Sequence, residues 1–399
     1  MRAYPGCILT LCAVLGCGDS SLGATRGGSE TGGTGSESGE EDGEESGEGD
    51  GDGEMAGDGD GEMGGDGDGE TVGDGDGEVT GDGDGEGEVT GDGDGDEGSL
   101  DDLLTLDHVQ VKGTHNSYHI EPFLPFDASH EYTHPPLDVQ LEDFGVRAFE
   151  LDLHRSLIDG ELLVYHILAI DEDSTCDRFV DCLGLVADWS DANPEHVPIM
   201  IWLEIKDSTG GMAIDDLLLV DQTILDVFSV DRIVTPDFVR GGYDSVREAL
   251  EQEGWPTLGE VRGKVMFMVL NGSHESVPDY TYDNTSLLGR MMFVSDADPA
   301  TPYAAVAKIN DPGSESIATA HGNRIITASN TCGAGQDEAD CFAELEAGRM
   351  SGTHALMDDF LEPVDGMSYF LDLPDGNPVR CNEATAPPEC SAVALEDLP

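Results

Sequence analysis

The chain has 399 residues, with 85 acidic and 17 basic side chains and a formal net charge of −68. Residues 18–100 hold 29 of the acids and one arginine, so residues 101–399 still carry 56 acids against 15 basic groups, a net of −41. A field of that sign argues against nucleic acid and anionic membrane surfaces as partners, and it draws in divalent cations.

The first seventeen residues read as an export signal. Arg2 is a short positive start, "CILTLCAVL" is an apolar run too short to span a bilayer as a helix, and "VLGC" ends at Cys17 behind the small Gly16. That ending resembles the lipobox of bacterial lipoproteins. It implies cleavage before Cys17, lipidation there, and residence in the bacterial cell envelope as an outer-membrane lipoprotein or a secreted protein; an ordinary secretory peptide is the alternative. Residues 18–100 repeat "GDGDGE" with almost nothing apolar to bury, so a disordered acidic tether is expected. The tract lacks the nonapeptide period of calcium β-rolls and the EF-hand loop, which leaves only weak, non-specific calcium accumulation.

Residues 101–399 can enclose a full core. Eight short apolar runs read as strands: "HVQVKGT", "VRAFELDLH", "LLVYHI", "VPIMIWLEIKD", "KVMFMVLN", "RMMFVSD", "RIITASN" and "HALMDDF". They begin near 108, 146, 162, 197, 264, 290, 324 and 354. Helical patterns such as "IDDLLLVDQTILDVF" and "YDSVREALEQEG" lie between several of them. The alternation predicts an α/β fold, a TIM-like (β/α)8 barrel. The interval 151–162 is too short for a helix, so the barrel is expected to be irregular. Six cysteines fall into the close pairs Cys176/Cys182, Cys332/Cys341 and Cys381/Cys390, suited to local disulfides in an oxidising compartment. A zinc reading finds no C-x-x-C or histidine-rich spacing to support it.

The ends of the first four predicted strands carry the chemistry. The first ends in "GTHNSYH", with His115 and Asn116; the second carries Glu150 and Asp152 in "ELD". The third ends in His166, and the fourth carries Glu204, Lys206 and Asp207 in "LEIKD". Residues two apart on a strand share a face, so Glu150 pairs with Asp152 and Glu204 with Lys206. In a barrel these ends converge on one mouth. An amide oxygen and three carboxylates form an oxygen set that suits calcium; magnesium stays open, and zinc prefers nitrogen or sulfur. The two histidines are left for proton transfer and phosphate contact. Gly113 is expected to let substrate approach the backbone closely. Arg147, Arg155 and Lys206 are the basic residues expected near the mouth.

The runs "GTHNSYH", "YTHPPLDVQLEDFGVRAFELDLH", "VYH" and "PIMIWLEIKD" together resemble the bacterial calcium-dependent phosphatidylinositol-specific phospholipases C. The specific part of the resemblance spans about residues 107–207. It implies that His115 and His166 are catalytic, that Asn116, Glu150, Asp152 and Glu204 bind Ca2+, and that Lys206 approaches the phosphate or the inositol hydroxyls. The implied reaction cleaves a phosphatidylinositol-type lipid through attack of its own inositol 2-hydroxyl, giving diacylglycerol and a cyclic or acyclic inositol phosphate. His119 and His154 stand close by as possible supports. "NRIITASNTC" is less arginine-rich than the resemblance leads one to expect, and neither Asp358 nor Asp359 receives a role. The expected partners are the lipid substrate and a membrane tether at Cys17, with the chain a monomer. A glycerophosphodiester phosphodiesterase is the enzyme alternative, since "ELDLHRSLIDGELLVYH" imitates its motif, although "THNSYH" stands where "HRG" is expected. A non-catalytic calcium or phosphoinositide binding module is the alternative of another class.

Overall fold

Parallel strands with helical crossovers account for most of the folded chain. The computed structural model describes residues 100–206, 214–374, 377–391 and 395–396. The expected signal segment with Cys17, the expected tether up to residue 99, and Asp207 lie outside the described residues.

Ten strands occur among the described residues: β1 (Val109–Thr114), β2 (Val146–Arg155), β3 (Leu162–Val164), β4 (Ile199–Ile205), β5 (Val265–Val269), β6 (Met292–Val294), β7 (Val306–Lys308), β8 (Ile326–Cys332), β9 (Ala355–Asp358) and β10 (Val379–Cys381). Eight are parallel staves in the order β6-β5-β4-β2-β1-β9-β8-β7. A single parallel bridge, Ser295 to Val306, brings β6 against β7 and nearly closes the barrel. The eight staves are not the eight runs read from the sequence. β3 is an arm of an antiparallel hairpin with β2. Only six residues separate the two strands, and a parallel return needs a crossover of a dozen or more. The missing stave is β7, three residues in the alanine-rich run "AAVAK", too short and too weak in β-propensity to stand out. β10 pairs antiparallel with β1 and was also not foreseen.

The staves are buried on both faces, as parallel staves must be. Phe149, Leu151, Ile201, Leu203, Phe267 and Val269 face outward against the helices Phe179–Ala192 and Ile214–Val227 through Leu183, Val186, Val220 and Ile224. Ala148, Met200, Trp202, Met266, Met268 and Met357 fill the interior. Each Val, Leu, Ile, Phe or Met among these contributes about 1.5–3 kcal/mol on full burial. The helix read from "YDSVREALEQEG" runs from Val246 to Gln252, and Ser245 caps it by accepting the Glu248 N–H. Replacing that cap by alanine would cost about 1 kcal/mol. All three cysteine pairs are joined as disulfides. No described helix is long and apolar enough to cross a membrane.

Candidate active site

The interior face of β2 and β4 changes character toward the C-terminal ends. Register places Ala148 beside Met200, Glu150 beside Trp202, and Asp152 beside Glu204. The apolar plug thus ends in carboxylates. Oxygens of Glu150, Asp152 and Glu204 all lie within 4.8 Å of one another. Asp152 is fully buried, and neither of its oxygens has a hydrogen-bond partner. The Lys206 ammonium lies 3.0 Å from Asp152 Oδ2 and 3.0 Å from Glu204 Oε2, a charge contact that lacks hydrogen-bond geometry at Asp152. Burial drives the Asp152 carboxyl up to about 7; Lys206 opposes the rise, and Glu204 and Glu150 add to it. Glu150 goes the other way. Burial alone would raise it, but Lys308, 2.9 Å from Oε2, and His115 bring it below the usual value. Burial also works against the Lys206 charge, yet Asp152 and Glu204 hold its pKa above that of an ordinary lysine. A buried carboxyl without hydrogen bonds, set among two more, is costly as it stands and suits a hard cation with oxygen ligands.

β1 delivers the next groups. The chain turns directly after Thr114, Asn116 adopts a left-handed φ of 43°, and the His119 N–H closes the turn on the Asn116 carbonyl at 2.8 Å. Asparagine is among the few residues that accept that backbone. Gln140 clamps the turn, accepting from Thr114 Oγ1 at 2.7 Å and donating to the Ser117 carbonyl at 2.6 Å. The Asn116 amide oxygen accepts the Tyr118 hydroxyl at 3.3 Å. Burial and the nearby Asp152 charge push that hydroxyl's pKa up, so Asn116 stands next to the carboxylates. Gly113 serves the barrel rather than the substrate. A Cβ there would meet Met357 Sδ at 2.5 Å and Ala148 Cβ at 3.0 Å, so the interior packing excludes a side chain.

His115 places Nδ1 2.9 Å from Asp359 Oδ1 and Nε2 3.7 Å from Glu150 Oε1. Burial lowers its pKa, but Asp359 and Glu150 outweigh that and raise it to about 9. Asp359 is held in turn by the Ala334 N–H at 2.7 Å. Its neighbour Asp358 points elsewhere, to the hydroxyls of Tyr369 and Thr331. His166 follows β3 and places Nδ1 2.8 Å from Asp171 Oδ2. His119 also contacts Asp171, so it sits behind His166. His154 is instead tied to the Tyr165 carbonyl at 2.9 Å and stacked on that ring, with burial lowering its pKa to about 4.

Among the basic residues expected at the mouth, Arg147 is misplaced by the sequence reading. It lies at the start of β2, buried against Trp189 and paired with Glu396. The basic group that reading missed is Lys308 at the end of β7, which bridges Glu150 and, at 2.8 Å, Asn330 Oδ1 in "TASNTC". Asp171 and Asp359 were missed as partners as well. The second of these carried a faint signal, a polar pair at the end of the last predicted strand.

A family model described as "Phosphoinositide phospholipase C, Ca2+-dependent" matches residues 104–163 and 155–383. The chain belongs to that family. Its members are phosphoric diester hydrolases. Among solved structures, a calcium-dependent phosphoinositol-specific phospholipase C from a Pseudomonas species, in a myo-inositol complex, is 18% identical with a TM-score of 0.50. The match covers 70% of this chain and 96% of that one. A Ca2+-dependent phosphatidylinositol-specific phospholipase C from Streptomyces antibioticus is 19% identical with a TM-score of 0.49, covering 65% and 95% of the two chains. At these identities the likeness to the Pseudomonas structure shows a shared fold. A search of curated proteins finds no match.

Proposed function

We propose that this phospholipase C homologue cleaves phosphatidylinositol, or a similarly lightly charged inositol lipid, with His115 and His166 as its acid–base pair. One observation carries the proposal. Two imidazoles are each oriented by a carboxylate, and one of them stands 3.7 Å from a cluster of three carboxylates in which a buried carboxyl lacks hydrogen bonds.

Asn116, Glu150, Asp152 and Glu204 would hold Ca2+, which supplies Lewis-acid stabilisation of charge on the phosphodiester and the attacking hydroxyl. The residues of the chain do the rest. The inositol 2-hydroxyl oxygen attacks phosphorus, the bond to the diacylglycerol oxygen breaks, and the hydroxyl proton passes to one of the three carboxylates. Attack from within the same molecule gives the proximity advantage of an intramolecular reaction. His115, held protonated at neutral pH by Asp359 and Glu150, donates to the phosphoryl oxygens. Asp171 fixes the His166 ring through Nδ1, leaving Nε2 to protonate the departing oxygen and later to accept a proton from water that opens a cyclic phosphate. Lys206 contacts the phosphate or the ring hydroxyls.

The rim supports a lipid substrate. Among the described residues the five most exposed large apolar side chains are Phe123, Leu124, Phe126, Leu157 and Ile158, all at least 77% exposed. They sit on the loop after β1 and on the β2–β3 hairpin, the two loops that flank His115 and lead to His166. Large apolar side chains left this exposed on two loops suit contact with an apolar surface. An acidic domain that meets bilayers through such a rim adsorbs by apolar insertion, so added salt should help or leave activity unchanged.

The test compares phosphatidylinositol, its 4,5-bisphosphate, a 2-deoxy analogue and glycerophosphocholine, with and without Ca2+, following products by phosphorus NMR. Calcium-dependent cleavage of phosphatidylinositol and none of the 2-deoxy analogue is expected. Cleavage of glycerophosphocholine alone would replace the proposal with the glycerophosphodiesterase reading. A strong preference for the bisphosphate would overturn the charge argument, because such headgroups call for clustered Lys and Arg.

A further inference from the structure

A second group of candidate ligands differs in kind from the oxygen cluster. His119 Nε2 lies 3.0 Å from both oxygens of Asp171, His130 Nδ1 lies 2.7 Å from Oδ2, and His166 Nδ1 lies 2.8 Å from the same oxygen. These ligand-capable atoms all fall within 4.8 Å of one another. Asp171, His119 and His130 are buried, and His166 is half-buried.

The proton inventory of this group is awkward. His119 Nδ1 lies 2.9 Å from the Tyr132 carbonyl, which can only accept, so Nδ1 carries a proton. In neutral His119 the Nε2 lone pair then points at a carboxylate that also has only lone pairs. Three ring nitrogens crowd Asp171 Oδ2, which has two lone pairs to offer. Protons resolve this only by adding one to the group, on His119 or on Asp171. A cation resolves it directly, since lone pairs from three nitrogens and one oxygen would converge on it. The Nδ1–H bond to a backbone carbonyl is the support that metal-bound histidines usually have. A tetrahedral zinc ion with bonds near 2.0–2.1 Å sets its ligand atoms about 3.3 Å apart, a separation that the 4.8 Å limit on this group allows.

We propose that His119, His130, His166 and Asp171 form a nitrogen-rich cation site for zinc-class ions, and that filling it withdraws His166 from catalysis. Calcium, which prefers six to eight oxygens, is a poor match for three imidazoles. The binding half stands on geometry alone. The second half rests on the acid–base role proposed above for His166. A cation on Nδ1 takes the electron pair of that nitrogen, breaks the Asp171 to Nδ1–H bond and pins the ring, so Nε2 no longer both gives and takes a proton.

The experiment uses the full chain in saturating Ca2+, which occupies the oxygen sites and the acidic tract. Co2+ is titrated in and the visible spectrum read, because four-coordinate Co2+ absorbs far more strongly than Co2+ in an octahedral oxygen shell. One equivalent of intense absorption, displaced by Zn2+ and lost in His130→Ala, is expected. In parallel, stoichiometric Zn2+ should lower turnover on phosphatidylinositol vesicles by about 100-fold or more, the usual scale of lost acid–base help. A chelator blind to calcium should restore it, and the ratio with and without Zn2+ should return to one in His130→Ala. If that variant melts early, His130→Gln, which keeps a polar group facing Asp171, replaces it. A pale spectrum would show a buried ion pair only, and strong absorption that survives both variants would place the cobalt elsewhere; either result overturns the site. Strong, variant-sensitive absorption without inhibition would keep the site and overturn the arrest, together with the role of His166.

Discussion

The arc of the barrel from β1 to β4 and the arc from β5 to β9 contribute unequally to the mouth. The first supplies both imidazoles, the amide, the three carboxylates and Lys206, all between residues 115 and 206. The second supplies partners: Lys308 for Glu150, Asn330 for Lys308, and Asp359 for His115. One arc brings the groups proposed to react, and the other supplies the charges and hydrogen bonds that hold them. Activity and stability should therefore respond differently to changes in the two.

The largest effect belongs to the first arc. His115→Ala and His166→Ala should each lose about 10²–10⁴-fold in turnover while still unfolding cooperatively, with His115→Ala the less stable of the two because it leaves Asp359 and Glu150 without their imidazole. Near-normal turnover in either would remove that residue from the chemistry. Calcium belongs to the same arc. At a concentration of 100 times its Kd it should add about 2.7 kcal/mol to stability, read as a rise in melting temperature, and its removal by EGTA should abolish turnover.

Next comes the second arc. Lys308→Met leaves Glu150 buried without its cation, and breaking such a pair typically costs about 3–5 kcal/mol. The loss should be largest without calcium and partly repaired by it. Equal loss in both conditions would mean that Lys308 serves packing rather than charge.

A buried carboxylate remote from the mouth serves as a control. Asp221, on the helix after β4, accepts the Tyr280 hydroxyl at 2.7 Å, and burial raises its carboxyl to about 6. A folded pKa above the unfolded value means stability is greatest below about pH 4 and declines as pH rises through about 6. Asp221→Asn should remove that decline, gaining at most about 3 kcal/mol over wild type at pH 7 and little at pH 4. Asp152, pushed up to about 7, should respond to calcium where Asp221 does not.

The smallest effect tests aiming. Asp359→Asn should lower kcat about tenfold with little change in KM, because the imidazole is still present but less well held and less basic. Removing that carboxylate lowers the His115 pKa, so the alkaline limb of the pH–rate profile should move to lower pH. A change in KM alone would mean that Asp359 acts on binding.

The same division explains what could be read from the sequence. Glu150 with Asp152, and Glu204 with Lys206, are legible because a strand's two-residue period puts each pair on one face. His115 and Asn116 are legible because they end an apolar run. Lys308 was not, because its three-residue stave offers almost no pattern. Asp359 was visible but unassigned, since its partner lies 244 residues away. β3 was misread as a stave because local hydrophobicity does not distinguish a hairpin arm from a barrel strand. The nitrogen-rich group escaped because zinc ligands were expected at C-x-x-C or histidine-rich spacing, whereas these residues come from three separate loop positions and a tight turn closed by Ile167 and Asp171.

The single bridge between Ser295 and Val306 makes the barrel a hoop with a clasp. The three-residue strands on either side have little ladder to hold them, so amide exchange should start there. Lys308 hangs on the clasp through its own N–H, which donates to Ser295 Oγ at 2.9 Å. Each brief unfastening there should remove one of the anchors of the Glu150 counter-ion, leaving Asn330 on β8 to hold it. The hoop's weakest joint thus sits beside the charge balance of the proposed cation site, fastened while Lys308 serves Glu150 and free to loosen once a cation takes that place.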